Sequence, residues 1–127
     1  MDPTPLSIQK IGQIALNAKN IPAATAFYRD VLGLKHLFSV GERMAFFDCG
    51  GVRLMLSQPS SPELDHPSSI LYFQVADIEV AHAQLVAHGV KIEHAPNLVA
   101  KMPDHELWLC AFRDPEGNIL EVMCEKR

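Results

Sequence analysis

The chain has 127 residues and a formal net charge of −4, with 11 Lys and Arg against 15 Asp and Glu. That length suits one domain, 1–127, and a composition of 48% hydrophobic and 20% charged residues excludes intrinsic disorder and supplies a core. The acidic balance argues against a nucleic-acid partner, and no apolar run approaches the roughly 18 residues of a membrane span, so neither is expected.

In chain order, residues 8–17 alternate as a strand. Asn20 caps a helix that has Pro22 in its first turn, and Ile21, Ala24, Phe27, Tyr28, Val31 and Leu32 form its apolar face before Gly33 closes it. Strands follow at 34–40 and 43–49, and Gly50-Gly51 turns a hairpin into a strand at 52–58. A stretch rich in Pro and Ser, 59–69, reads as a linker. The second half opens with a strand at 70–75. Asp77 caps a helix with Ile78, Ala81 and Leu85 on its inner face, and Gly89 ends it. A strand at 90–93 and a final hairpin, 107–113 and 119–123, around Asp114-Pro115-Glu116-Gly117-Asn118 complete the chain.

The halves repeat. Asn20, Ile21 and Ala24 recur 57 positions on as Asp77, Ile78 and Ala81, while Asp48, Gly51 and Leu54 recur 66 positions on as Asp114, Gly117 and Leu120. The difference is nine residues of extra chain in the second half, assigned to 95–106. The pattern predicts an α+β fold of two βαβββ modules, the first at about 8–58 and the second at about 70–125.

Strand alternation then sorts the side chains into two faces. Ile14, Leu16, Val52, Leu54, Leu56, Leu71, Phe73, Val75, Leu120, Val122 and Cys124 make an apolar face for the helices to cover. The opposite face is mixed, with Gln13, Ala15, Asn17, Arg53, Met55, Ser57, Ile70, Tyr72, Gln74, Ile119, Glu121 and Met123. It is either an ordinary solvated sheet face or the lining of a pocket or interface, and Ile70, Tyr72, Met55 and Met123 favour the latter.

The paired βαβββ units, Ala-Phe-Tyr-Arg-Asp-Val-Leu-Gly-Leu at 26–34 and Phe-Arg-Asp-Pro-Glu-Gly-Asn-Ile-Leu-Glu at 112–121 resemble the vicinal oxygen chelate superfamily. This group includes glyoxalase I, extradiol dioxygenases, methylmalonyl-CoA epimerase and the bleomycin and fosfomycin resistance proteins. The resemblance implies a cup-shaped mixed sheet with the helices on its outer face, completed in a homodimer. It also implies up to four metal-ligand positions, which fall here on Gln13, Met55, Ile70 and Glu121. Gln13 and Glu121 are serviceable ligands. Ile70 has no donor atom, and the Met55 thioether is too soft for an oxygen-rich site. A degenerate metal site is therefore expected, with no cofactor, although a divalent Ni, Zn, Mn or Fe remains the alternative.

Without a metal, Glu121 has three possible roles. It can pair with Arg53 in a buried ion pair, anchor a cationic or hydrogen-bonding ligand, or act as the catalytic base. The ligand-binding candidates are Arg53, Met55, Tyr72, Gln74, His105 and Trp108. His105 belongs to the extra segment, read as a rim loop, where it is either solvated or swung over the ligand. Trp108 is either core or a stacking platform.

Three cysteines, Cys49, Cys110 and Cys124, form no C-x-x-C pair. The start Met1-Asp2-Pro3-Thr4-Pro5 has no leader pattern, so a reduced, cytoplasmic chain is expected. Three functions stay open. The first is a metal-free binder of a small organic ligand, aromatic or cationic. The second is a glyoxalase I- or epimerase-like metal-dependent lyase or isomerase using Glu121 as ligand or base, its site completed by His105, His66 or water. The third is a dioxygenase-like enzyme, whose expected histidines are missing.

Overall fold

The computed structural model describes residues 3–127. Met1 and Asp2, on which the expectation of no leader partly rests, lie outside the described residues. Two βαβββ units follow one another: β1 (Gln13–Asn17), α1 (Ile21–Ala26), β2 (Lys35–Val40), β3 (Met44–Cys49) and β4 (Val52–Ser57), then β5 (Leu71–Gln74), α2 (Ile78–Ala87), β6 (Ile92–Lys101), β7 (Glu106–Arg113) and β8 (Ile119–Lys126). The strands form two four-stranded sheets, ordered β1-β4-β3-β2 and β5-β8-β7-β6. The β1–β4 and β5–β8 pairs are parallel and the others antiparallel. No helix is long and apolar enough to cross a membrane among the described residues.

Local chemistry sets the boundaries. The Asn20 and Asp77 side chains accept the backbone N–H groups of Ala23 and Val80, both at 3.1 Å, and so satisfy donors that the first helical turn leaves unpaired. The β3–β4 hairpin needs two successive left-handed residues. Gly50 and Gly51 supply them at φ 59° and 90° without a Cβ penalty.

The apolar face lies where the alternation puts it. Leu16, Leu54, Leu56, Leu120, Val122 and Cys124 are buried with Ile21, Ala24, Phe27 and Tyr28 of the first helical segment and Ile78 and Leu85 of α2. Ile14, Leu71, Phe73 and Val75 pack against them partly buried. One core thus draws on both modules. Phe27 meets Phe112 across the module boundary at a ring separation of 6.5 Å.

Three elements differ from expectation. β1 begins at Gln13, not residue 8, because its partner β4 starts just after the hairpin. The ladder opens at Gln13 opposite Arg53, which leaves Leu6, Ile8 and Ile11 exposed. The first helix does not run regularly to Leu32. After Ala26 it widens into π-helical turns over Phe27–Val31, closed by the Leu32 N–H on the Phe27 carbonyl at 3.1 Å. In that wider turn the adjacent Phe27 and Tyr28 are both buried. The extra segment of the second module is mostly strand rather than rim loop. β6 continues to Lys101 as a bulged edge strand along β7, and the turn closes with the Met102 N–H on the His105 carbonyl at 2.8 Å.

Candidate functional site

The faces turned away from the helices carry the mixed residues in registered rows. In the first sheet Gln13, Arg53, Asp48 and Lys35 form one row, and Asn17, Ser57, Met44 and Val40 another. Between them Ala15, Met55 and Phe46 are in register, beside Phe38. Phe38 stacks on Phe46 at 4.5 Å, and the Arg53 guanidinium sits 5.4 Å from the Phe46 centroid. In the second sheet Tyr72, Glu121, Ala111 and His94 make one row, and Gln74, Met123, Leu109 and Asn97 the next.

Part of the first face is roofed. Chain 59–69 folds back over it and includes a 3₁₀ turn at Pro62–Leu64. Asn17 holds this roof in place. Its side-chain amide donates to the carbonyls of Leu64 (2.7 Å) and His66 (3.0 Å), and its backbone N–H donates to the Ser68 hydroxyl (3.1 Å). Beneath lies a cavity of about 330 Å³, at the small end of ligand pockets. Ala15, Met44 and Met55 line it on the sheet side, with Ser57 and Arg43 beside them. Leu64, His66 and Ser68 line it from the roof.

The candidates named from sequence divide accordingly. Met55 lines the cavity. Arg53 stands two residues before it on the same strand face, and its partner is not Glu121. Arg53 Nε donates to Gln13 Oε1 at 2.7 Å, and among the described residues no ion pair joins it to Glu121. Tyr72, Gln74 and Glu121 share the face of the other sheet. The Tyr72 hydroxyl is held above its ordinary value of 10, first by hydrogen bonding toward the Glu121 carboxylate and then by that group's charge.

His105 sits at the tip of the β6–β7 hairpin, remote in sequence from the roofed cavity. Its Nδ1 lies 2.8 Å from Asp104 Oδ1 and its Nε2 3.9 Å from Glu125. The Asp104 carboxyl is held below its usual range by His105 and then Arg127. Trp108 pairs with Cys124 on the core face. There it packs partly buried under the Lys126 ammonium, 4.1 Å from its ring, and so faces away from Glu121. Burial raises the Cys49 and Cys110 thiols, which suits structural rather than nucleophilic cysteines.

The four metal positions do not suit a divalent ion. Gln13 turns its amide N–H₂ toward the Met55 sulfur at 3.6 Å and gives its one good donor oxygen to Arg53. A guanidinium at that oxygen opposes a second positive charge. Ile70 lies just before β5 with no donor, leaving Glu121 alone on the other sheet. Among the described residues no three His, Cys, Asp or Glu side chains gather into a metal site.

Sequence reasoning missed Arg43, Met44 and the roof, and offered His66 only as a residue completing a metal site, not as part of the cavity lining. The linker composition identified loop but not what the loop covers. Asn17, assigned to the mixed face, was the available signal, since an inward amide at a strand end needs partners.

A family model described as Glyoxalase/Bleomycin resistance protein/Dioxygenase superfamily matches residues 10–122. Among solved structures, lactoylglutathione lyase from Agrobacterium tumefaciens superposes with a TM-score of 0.73 at 26% identity, over 93% of this chain and 95% of that one. An integron cassette protein from V. cholerae gives 0.76 at 26% identity, over 95% and 98%. A member of the same superfamily from Sphaerobacter thermophilus gives 0.77 at 22% identity, over 94% and 100%, a likeness of fold.

Proposed function

The chain belongs to the glyoxalase/bleomycin resistance protein/dioxygenase superfamily, and from that membership we propose that it is a small-molecule-binding protein working without the metal of its catalytic relatives. The observation that carries this reading is the roofed cavity over Met55, where the linker is tied down by Asn17. A surface face held under a hydrogen-bonded roof gives a small organic molecule both contact area and exclusion from water. At the metal positions, the Arg53–Gln13–Met55 contacts occupy the side chains that an ion would need.

The test combines metal analysis of untagged protein with a thermal-shift screen of small organic compounds on the native chain and on Met55→Trp. The expected result is substoichiometric metal, no stabilisation by Ni, Zn, Mn or Fe(II), and hits that raise the melting point of the native chain but not of Met55→Trp. A stoichiometric ion, or hits indifferent to Met55→Trp, overturns the reading.

The likeness to a lactoylglutathione lyase at 26% identity favours a second reading, a lyase or isomerase in which Glu121 moves a proton. It requires turnover of a 2-oxoaldehyde–thiol adduct that Glu121→Gln abolishes.

A further inference from the structure

We propose that the roofed cavity takes a small organic oxyanion, a carboxylate or phosphonate on an apolar body, with Arg43 as its anchor. The proposal rests on the binding reading above and adds the charge of the ligand. The titratable groups lining the cavity are Arg43 and His66, and no Asp or Glu is among its lining residues.

The pairing of the arginines sharpens the point. Of the five in the chain, Arg29, Arg113 and Arg127 each meet a carboxylate, Asp30, Glu93, and Asp104 with Glu125 respectively. Arg43 and Arg53 meet none within 4.0 Å among the described residues, and both serve the first sheet. Arg53 is spoken for by Gln13 and the Phe46 ring. The Arg43 guanidinium keeps its fork of donors for a planar or tetrahedral oxyanion, which it can hold by two parallel hydrogen bonds.

The rest of the lining fits the same kind of molecule. The Ser68 oxygen accepts the Asn17 N–H, which leaves its O–H to donate. Ala15, Met44, Met55 and Leu64 offer an apolar bed, and two methionines adapt to varied shapes. A cationic ligand, one of the kinds expected from sequence, finds no counter-charge here, because Glu121 stands on the other sheet.

The experiment is an amide chemical-shift titration of the full chain with four six-carbon probes: hexanoate, hexylphosphonate, hexanamide and hexylammonium. Hexanoate or hexylphosphonate, or both, should move the amides of Asn17, Ser57 and residues 64–68. Hexanamide and hexylammonium should not at equal concentration. Which anion binds tighter decides between carboxylate and phosphonate. Arg43→Gln should weaken the anion at least tenfold, Arg43→Lys should recover part of that loss, and both variants should keep the native spectrum elsewhere. Equal binding of hexanamide or hexylammonium, or an Arg43→Gln variant of unchanged affinity, overturns the oxyanion assignment while leaving small-molecule binding in place. If none of the four probes moves these amides the assignment also fails, whereas the binding reading is decided separately by the Met55→Trp screen.

Discussion

Replacing Tyr28 by Phe removes one oxygen from a fully buried ring and tests how firmly the two modules are joined. The Tyr28 hydroxyl donates to Asp114 Oδ2 at 2.7 Å, while the ring packs edge-on to Phe27 at 5.5 Å and tilted on Phe47 at 6.0 Å. Phenylalanine keeps those ring contacts, so the loss is confined to one charge-assisted hydrogen bond, about 1.5–3 kcal/mol. The lower end applies, because the Asp114 carboxylate keeps the N–H groups of Glu116 and Asn118 and the Asn118 amide as donors. At roughly 4 °C per kcal/mol for a chain of this size, Tyr28→Phe should lower the melting temperature by about 6–8 °C. Asp114→Ala removes the acceptor of all four bonds and strands the buried hydroxyl, and should cost about 3–5 kcal/mol. Urea melts followed by far-UV circular dichroism measure both, and the double variant gives the coupling. A Tyr28→Phe loss under about 0.5 kcal/mol, or additive losses in the double variant, would refute the claim that this bond ties the modules together.

Spectrophotometric titration at alkaline pH should detect Tyr72 alone of the two tyrosines, because burial and Asp114 raise Tyr28 far above it. Glu121→Gln removes the charge that raises Tyr72, so the midpoint should fall back toward 10. Since the raised group is neutral below its pKa, any stability from this contact is present below pH 10 and is lost as pH rises through the folded value. An unmoved midpoint would show that the two groups do not interact. Asn17→Ala should free the roof, with about 1–2 kcal/mol lost for two side-chain hydrogen bonds. Amide exchange at residues 64–68 should then accelerate well beyond that at β7, and uniform acceleration would mean that the roof is not separately held.

The parts of the fold legible in the sequence were those set by short-range rules. Asn20 and Asp77 cap as their side chains dictate, Gly50-Gly51 turns the hairpin, and alternation placed Leu54 and Leu120 inward and Met55 and Glu121 outward. What was not legible depends on which elements meet. Nothing in the sequence near Arg53 distinguishes Gln13 from Glu121 as its partner. The parallel β1–β4 register decides it by setting Gln13 directly opposite. The extra nine residues have loop-like composition, yet an available edge on β7 draws them into a strand that tolerates Pro96 only because it is bulged and outermost. The roof was hidden for a similar reason, since its hydrogen bonds to Asn17 span about fifty positions.

The turn between β7 and β8 also reaches back to the start of the chain. Glu116 accepts the backbone N–H groups of Lys19 and Asn20, at 2.6 and 3.1 Å, across 97 and 96 positions, and Asn118 donates to the Asn17 carbonyl. During synthesis, then, the first module leaves the ribosome with the Lys19 and Asn20 N–H groups just ahead of its helix, and the Tyr28 hydroxyl, lacking these partners. Both are completed only when the last hairpin has been made. The two halves are built alike, but this turn makes the first depend on the second, and contacts so distant in sequence place the closing step of folding at the last hairpin.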